Sequence, residues 1–295
     1  MYDQIARNKR NSWILVIVVT LVLVGLGFLA GEYWGNGYAG AGFAVVIAVV
    51  SSLATYYGGA GMILAMSRAK RIEKKDHPRL FNVVEELAIA GGLPMPAIYI
   101  IDDSAPNAFA TGRDPEHASV AITTGLLQKL SRDELQGVMA HELSHVGNRD
   151  ILFAMMVGIM VGSIALVSDF FLRSVFWSRG GRKRDQKGSA GAIMLVVALL
   201  LAVLAPIFAK LLQLAVSRQR EYLADASAVK LTRYPEGLAS ALEKISGDRE
   251  VLEAANRATQ HLYIVNPIKP FEKRVKGLFS THPPIEDRVR RIRAM

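Results

Sequence analysis

His141 and His145 stand four residues apart, with Glu142 beside the first, in the stretch GVMAHELSHVGNRD. On a helix this spacing projects both imidazoles from one face, one turn apart. Two nitrogens so placed can grip one tetrahedral metal ion. Glu142 lies about 100° round the helix from His141, so it can reach a water on that ion without binding the ion itself. H-E-x-x-H on a helix is a pattern for zinc-assisted peptide hydrolysis. A plain solvent-facing helix could carry the same three residues, and the pattern alone leaves both readings open.

The element that must carry the motif begins at Ser131. Ser131 and Glu134 have the spacing of a capping box, and Asp133 adds negative charge to the first turn. Leu135, Val138, Met139 and Leu143 then form an apolar face on the same helix. The helix is expected to end near Gly147 and Asn148.

Catalytic zinc needs a third protein ligand and one open position. The chain has no cysteine, which excludes disulfides, thiolate catalysis and cysteine-held metals together. The remaining donors are His77, His117, His261 and His282, or a carboxylate. The stretch SRQREYLADASAVKL offers Glu221 and Asp225, again four residues apart. Spacing alone favours two ordinary solvated acids flanking Arg218 and Arg220.

Hydrophobic residues make up 51% of the 295 positions, so the search turns to uncharged runs long enough to span a bilayer core of about 30 Å. Four runs qualify: Ser12–Gly31, Tyr33–Ser67, Ile151–Ser168 and Gly188–Ala209. They divide the chain into an N-terminal transmembrane hairpin (1–67), a first polar section with the motif helix (68–150), a second hairpin (151–209) and a second polar section with Glu221 (210–295). Basic residues crowd beside the runs, at Arg7–Arg10, Arg68–Lys75 and Arg173–Lys187. Cytoplasmic loops and anionic headgroups recruit them there. The net charge of +9 therefore reads as membrane-related, and no nucleic-acid partner is expected. The positive-inside rule puts the Glu32–Gly40 turn outside and the section from Arg68 inside. The basic loop Arg173–Ser189 breaks the rule if the second hairpin crosses fully. Either way, the two polar sections end on one side and can form one domain.

HELSHVGNRD together with REYLAD resembles the membrane-bound M48 family of metallopeptidases, which are gluzincins. Two apolar runs before the motif and two after it look like the HtpX branch of that family. The resemblance implies an α+β, mainly helical zincin-like domain with a small sheet, on a four-segment helical anchor. It implies one Zn2+ per chain held by His141, His145 and Glu221, with Glu142 as catalytic base and Asp225 supporting the site. Two weaker matches extend it. Asn107, Ala108 and Phe109 look like the edge strand along which a zincin's substrate lies. STHPPIEDRV looks like a C-terminal His-Pro element that brings His282 near the site as a charge stabiliser. A core hairpin and a packing histidine are the plainer readings of these two stretches. Pro94 and Pro96 before AIYIID suggest a sheet edge there.

The resemblance implies a zinc metalloendopeptidase of the cell membrane, multi-pass, with its site facing the cytoplasm. Its substrates would be polypeptides, chiefly misfolded or unassembled membrane proteins, met at the lipid surface. The alternatives are a prenyl-protein (CaaX-type) protease, a non-proteolytic membrane scaffold and a metal carrier. A carrier predicts ionisable residues inside the spans, and the four runs have none internally.

Overall fold

A computed structural model describes residues 2–33, 36–156, 218–248, 250, 252, 263–264 and 283–295. Apart from residues 151–156, the third and fourth apolar runs and the basic loop between them lie outside the described residues, as do His261 and His282.

Helices α1 (Tyr2–Tyr33) and α2 (Gly37–Met66) pack side by side as a hairpin. Asn36 caps α2 by accepting the Ala39 N–H at 3.0 Å, and Glu32 accepts the Gly37 N–H at 3.1 Å. Small residues set their separation: a Cβ on Gly40 would fall 2.2 Å from the Gly27 carbonyl oxygen and 2.7 Å from the Gly31 Cα. Such stripes let membrane helices approach closely. The outward residues, including Trp13, Ile17, Leu21, Phe43 and Val50, are large, apolar and exposed. By length and composition α2 can cross a membrane, whereas the apolar stretch of α1, Val16–Leu29, is shorter. One described helix rather than two thus meets that measure.

The polar sections build a small mixed sheet under helices. Strand order is β1-β2-β4-β3, with β1 at Lys70–Arg71, β2 at Ala97–Ile101, β3 at Ala108–Gly112 and β4 at Ala118–Thr123. β2 and β4 run parallel, and the other two pairings are antiparallel. β2 is therefore not an edge. Lys70–Arg71 pairs with it, and Ile72 also donates to the Ile98 carbonyl at 3.0 Å. A two-residue strand has no alternation to betray it, so the prolines mark only where β2 begins. β3 and β4 form a hairpin through a 3-10 turn at Pro115–His117, and β3 takes the far edge.

The helices are α3 (Pro78–Gly91), α4 (Thr124–Lys129), α5 (Arg132–Gly147), α6 (Arg218–Thr232), α7 (Pro235–Gly247) and α8 (Ile285–Arg293). The expected apolar face of α5 is buried: Leu135, Val138, Met139 and Leu143 join the main core with Leu80, Val84, Val120 and Leu242. Each such side chain contributes roughly 1.5–3 kcal/mol, which outweighs the modest helix propensity of the motif itself. Gly137 lets α7 come close, because a Cβ there would lie 2.6 Å from the Leu238 nitrogen. A second cluster joins Ile63 and Leu64 of α2 to Phe109, Met155 and Tyr263. The C-terminal end of α2, the edge strand and the start of the third apolar run are packed together there.

Candidate active site

α5 begins as its residues require. The Ser131 side chain accepts the Glu134 N–H at 3.3 Å, and Glu134 accepts the Ser131 N–H at 2.8 Å. In its last two turns the helix presents His141 and His145 towards α6. α6 presents Glu221 back, and α8 closes the site with Arg288. The His141 and His145 Nε2 atoms are 3.2 Å apart. Glu221 oxygens lie 3.8 Å from the first and 3.6 Å from the second. Bonds of about 2.0–2.1 Å at tetrahedral angles separate two donors by roughly 3.4 Å, so these three side chains fit one zinc-sized ion. Among the described residues, they form a group able to hold a metal, with their donor atoms within 4.8 Å of one another. Zinc favours such a nitrogen and carboxylate set.

Each imidazole is held from behind. The His141 Nδ1 lies 2.9 Å from Asp225 Oδ1, and the His145 Nδ1 lies 3.1 Å from Asp150 Oδ2. Burial works against a charged His145, yet the Asp150 hydrogen bond and the charges of Glu221, Asp150 and Glu142 carry it up to about 9. Glu142 is fully within the protein, and burial pushes its carboxyl up against the pull of both histidines and the hydrogen bond from Ala110 N–H. A carboxylate raised in this way is better matched to moving protons near neutrality.

Arg288 belongs to the site although no sequence motif places it there. It is completely buried and donates twice to Asp225, from Nε at 2.9 Å and Nη2 at 2.7 Å. Its Nη1 lies 3.3 Å from Glu221 Oε2, and its Nη2 3.4 Å from the His141 Nδ1. Burial disfavours its charge, but Asp225 and Glu221 raise its pKa all the same. Burial likewise opposes the Asp225 carboxylate, which Arg288 and His141 hold below the usual range. A signal was present. Ile285, Arg288, Val289 and Ile292 recur at helical spacing, so Arg288 falls on the buried face while Arg290, Arg291 and Arg293 face out.

Two histidines weighed as third ligands have other work. His77 caps α3 by accepting the Leu80 N–H at 3.3 Å, and the exposed His117 lies 2.6 Å from Asp114. Asn107 is buried and bonded to Thr123 across the hairpin, and Phe109 packs edge to face on Tyr263 with centroids 5.1 Å apart. The outer rim of β3 meets the protein's own groups. Ala108 O accepts the Ile264 N–H at 3.0 Å, and Ala110 N–H goes to Glu142. A strand adding along Asn107–Phe109 must displace Ile264 from Ala108, and one reaching Ala110 must compete with Glu142 for its N–H.

Comparison with known proteins gives the family. The model of peptidase family M48 matches residues 74–295. Proteins named Protease HtpX homolog align over all of this chain: 46% identity with that of Dictyoglomus thermophilum, covering 94% of it, and 46% with that of Tropheryma whipplei, covering 98%. The one from Lactobacillus acidophilus is 42% identical and is covered completely. The fold is shared with Ste24p of S. mikatae at a TM-score of 0.51 and 21% identity, over 95% of this chain and 66% of that one. The chain belongs to peptidase family M48 and is a metalloprotease similar to HtpX.

Proposed function

We propose that this metalloprotease is a zinc-dependent endopeptidase of the cell membrane, with His141, His145 and Glu221 as the metal ligands and Glu142 as the base. One observation carries the reading: three donors of zinc-like character converge from two helices, with a buried carboxylate beside them. Zinc bound there supplies Lewis acidity, lowering the pKa of water towards neutral and polarising a scissile carbonyl. Glu142 takes a proton from the attacking water as its oxygen bonds the carbonyl carbon. When the carbon–nitrogen bond breaks, Glu142 returns that proton to the departing amine. Asp225, fixed by Arg288, orients His141. An extended substrate segment pairs along the outer rim of β3, beside Glu142.

The site lies at the C-terminal end of α2, whose 30 residues extend roughly 45 Å from the hairpin turn at about 1.5 Å per residue. That exceeds a hydrocarbon core of about 30 Å. If α2 crosses, the Glu32–Gly40 turn and the site face opposite sides. Basic-residue asymmetry assigns the site to the cytoplasm. The third and fourth runs add two more membrane segments to the anchor, and segments of misfolded or unassembled membrane proteins at that surface are the substrates.

Purified full-length protein in detergent should cleave casein with one zinc per chain and stop on chelation. Glu142→Gln should retain zinc and cut at least about 100-fold more slowly. Cleavage by that variant at near-parent rate would remove Glu142 from its role. The chain has no cysteine, so single cysteines report topology directly. Labelling near Lys129 by an impermeant external reagent would overturn the orientation.

A further inference from the structure

The backbone leaves α5 through Asn148 and turns sharply at Arg149, whose φ of 58° is left-handed. Helix resumes at residue 150. A non-glycine residue in that region costs about 1–2 kcal/mol, so the turn is held by what it achieves. It folds Asp150 back against His145, where the carboxylate is buried. Its two oxygens face different partners. Oδ2 lies 3.1 Å from His145 Nδ1, and Oδ1 lies 3.7 Å from Arg220 Nε. The Arg220 guanidinium stands over the Phe153 ring at 4.7 Å. Arg220 directly precedes Glu221, and Phe153 lies in the third apolar run.

We infer that Asp150 is a positioning residue for His145, the counterpart of Asp225 on His141. This rests on the metal-site reading above. Accepting a hydrogen bond from Nδ1 fixes the tautomer whose Nε2 lone pair faces His141 and Glu221. The bond also stops the ring turning about its χ2 angle and strengthens Nε2 as a donor. Through Oδ1 the same carboxylate reaches the helix that carries Glu221. Asp150 therefore ties the second histidine to the carboxylate ligand at the point where the third apolar run begins. Sequence spacing gives it no role, because it follows the motif helix and reads as the boundary of a membrane segment.

The test uses full-length protein in detergent and reads metal binding rather than cleavage. Zinc affinity is measured by competition with a chelator, and site geometry by the visible spectrum of the cobalt(II)-substituted protein. Asp150→Ala should bind zinc about 10–100-fold more weakly and alter the cobalt spectrum. Asp150→Asn keeps an acceptor oxygen but loses the charge, so its affinity should fall between the two. Arg220→Met keeps apolar packing on Phe153 and should lose less affinity than either. If Asp150→Ala does not fold, Asp150→Asn carries the comparison. Parent-like affinity and spectrum in either Asp150 variant overturns the assignment while the zinc site stands. So does an Arg220→Met that reproduces the whole loss, since Asp150 would then act only as an anchor for Arg220. A parent protein that binds no zinc overturns the metal-site reading itself, and the role of Asp150 with it.

Discussion

Arg288 grips Asp225 through two parallel hydrogen bonds, and both side chains are sealed from solvent at 0% and 1% exposure. The pair is charge-assisted and bidentate, the strong form of such contacts. Removing one partner strands the other charge in the interior, which costs about 3–5 kcal/mol, well above the value of a surface ion pair. Arg288→Leu should therefore lower the stability of the full-length protein by about 3 kcal/mol and weaken metal binding through His141. Arg288→Lys restores charge but not the fork, and should recover only part of both. Thermal unfolding in detergent and chelator competition read the two effects. Parent-like behaviour of Arg288→Leu in both would show that the contact is incidental.

Glu221 and Asp225 sit one turn apart on α6 but face different atoms. Glu221 oxygens lie 3.6–3.8 Å from the two Nε2 atoms, whereas Asp225 lies behind His141 on Nδ1. Glu221→Gln should therefore lose most zinc affinity. Asp225→Asn should cost about 10–100-fold, the range for a residue that orients a ligand. The order is the test. An Asp225 variant that binds zinc more weakly than the Glu221 variant would reverse the two roles.

The motif helix was legible because its signals are local. Ser131 and Glu134 cap it, Leu135 to Leu143 bury one face, and the histidine spacing needs nothing beyond one turn of helix. Glu221 was only one option among several, because 76 residues separate it from His145 and spacing has no force at that distance. The M48 resemblance chose it, and the fold brings it to both imidazoles. Arg288 and Asp150 escaped for different reasons. Arg288 hides in a basic run, where charge suggests solvent and only the helical period of its neighbours argues otherwise. Asp150 depends on one left-handed residue, Arg149, whose conformation no composition rule gives. β1 was missed because a Lys-Arg pair becomes a strand only when β2 is there to receive it.

Gly40 should be intolerant of a side chain, and Gly42 two residues on should not. A Cβ at Gly40 would meet backbone of α1 at 2.2 and 2.7 Å, whereas nothing lies within 4 Å of one at Gly42. Backbone cannot yield as a flexible side chain does. Gly40→Leu should destabilise the hairpin by about 1–3 kcal/mol, the cost of overpacking. Gly42→Leu, facing outward on the same helix, should leave the unfolding temperature near the parent value. Equal effects of the two would mean that α1 and α2 do not pack through this stripe.

Glu134 links stability to pH with a definite sign. Its carboxylate accepts the Ser131 N–H at 2.8 Å and the Lys244 ammonium at 2.8 Å, so it caps α5 and joins it to α7. Burial works against the charge, but the Lys244 and Ser131 hydrogen bonds win and hold the carboxyl below the usual glutamate range. A lowered pKa in the folded state means that the charged form is the stabilising one. That stability is present in full above the unfolded value of about 4.3 and is lost as pH falls through the lower folded value. Glu134→Gln keeps the capping acceptor but loses the charge, so it should be less stable than the parent at pH 7 by about 0.3–1 kcal/mol, the worth of a partly exposed ion pair and of a negative charge at a helix N-terminus. The gap should close as pH falls below 4.3 towards the folded-state pKa, because the parent then becomes neutral as well. Denaturant unfolding of both proteins in the same detergent at several pH values measures the difference directly, and acid effects elsewhere cancel in the subtraction. A gap that stays constant down to pH 3 would place the benefit in shape rather than charge, and a gap that widens would reverse the sign of the pKa shift.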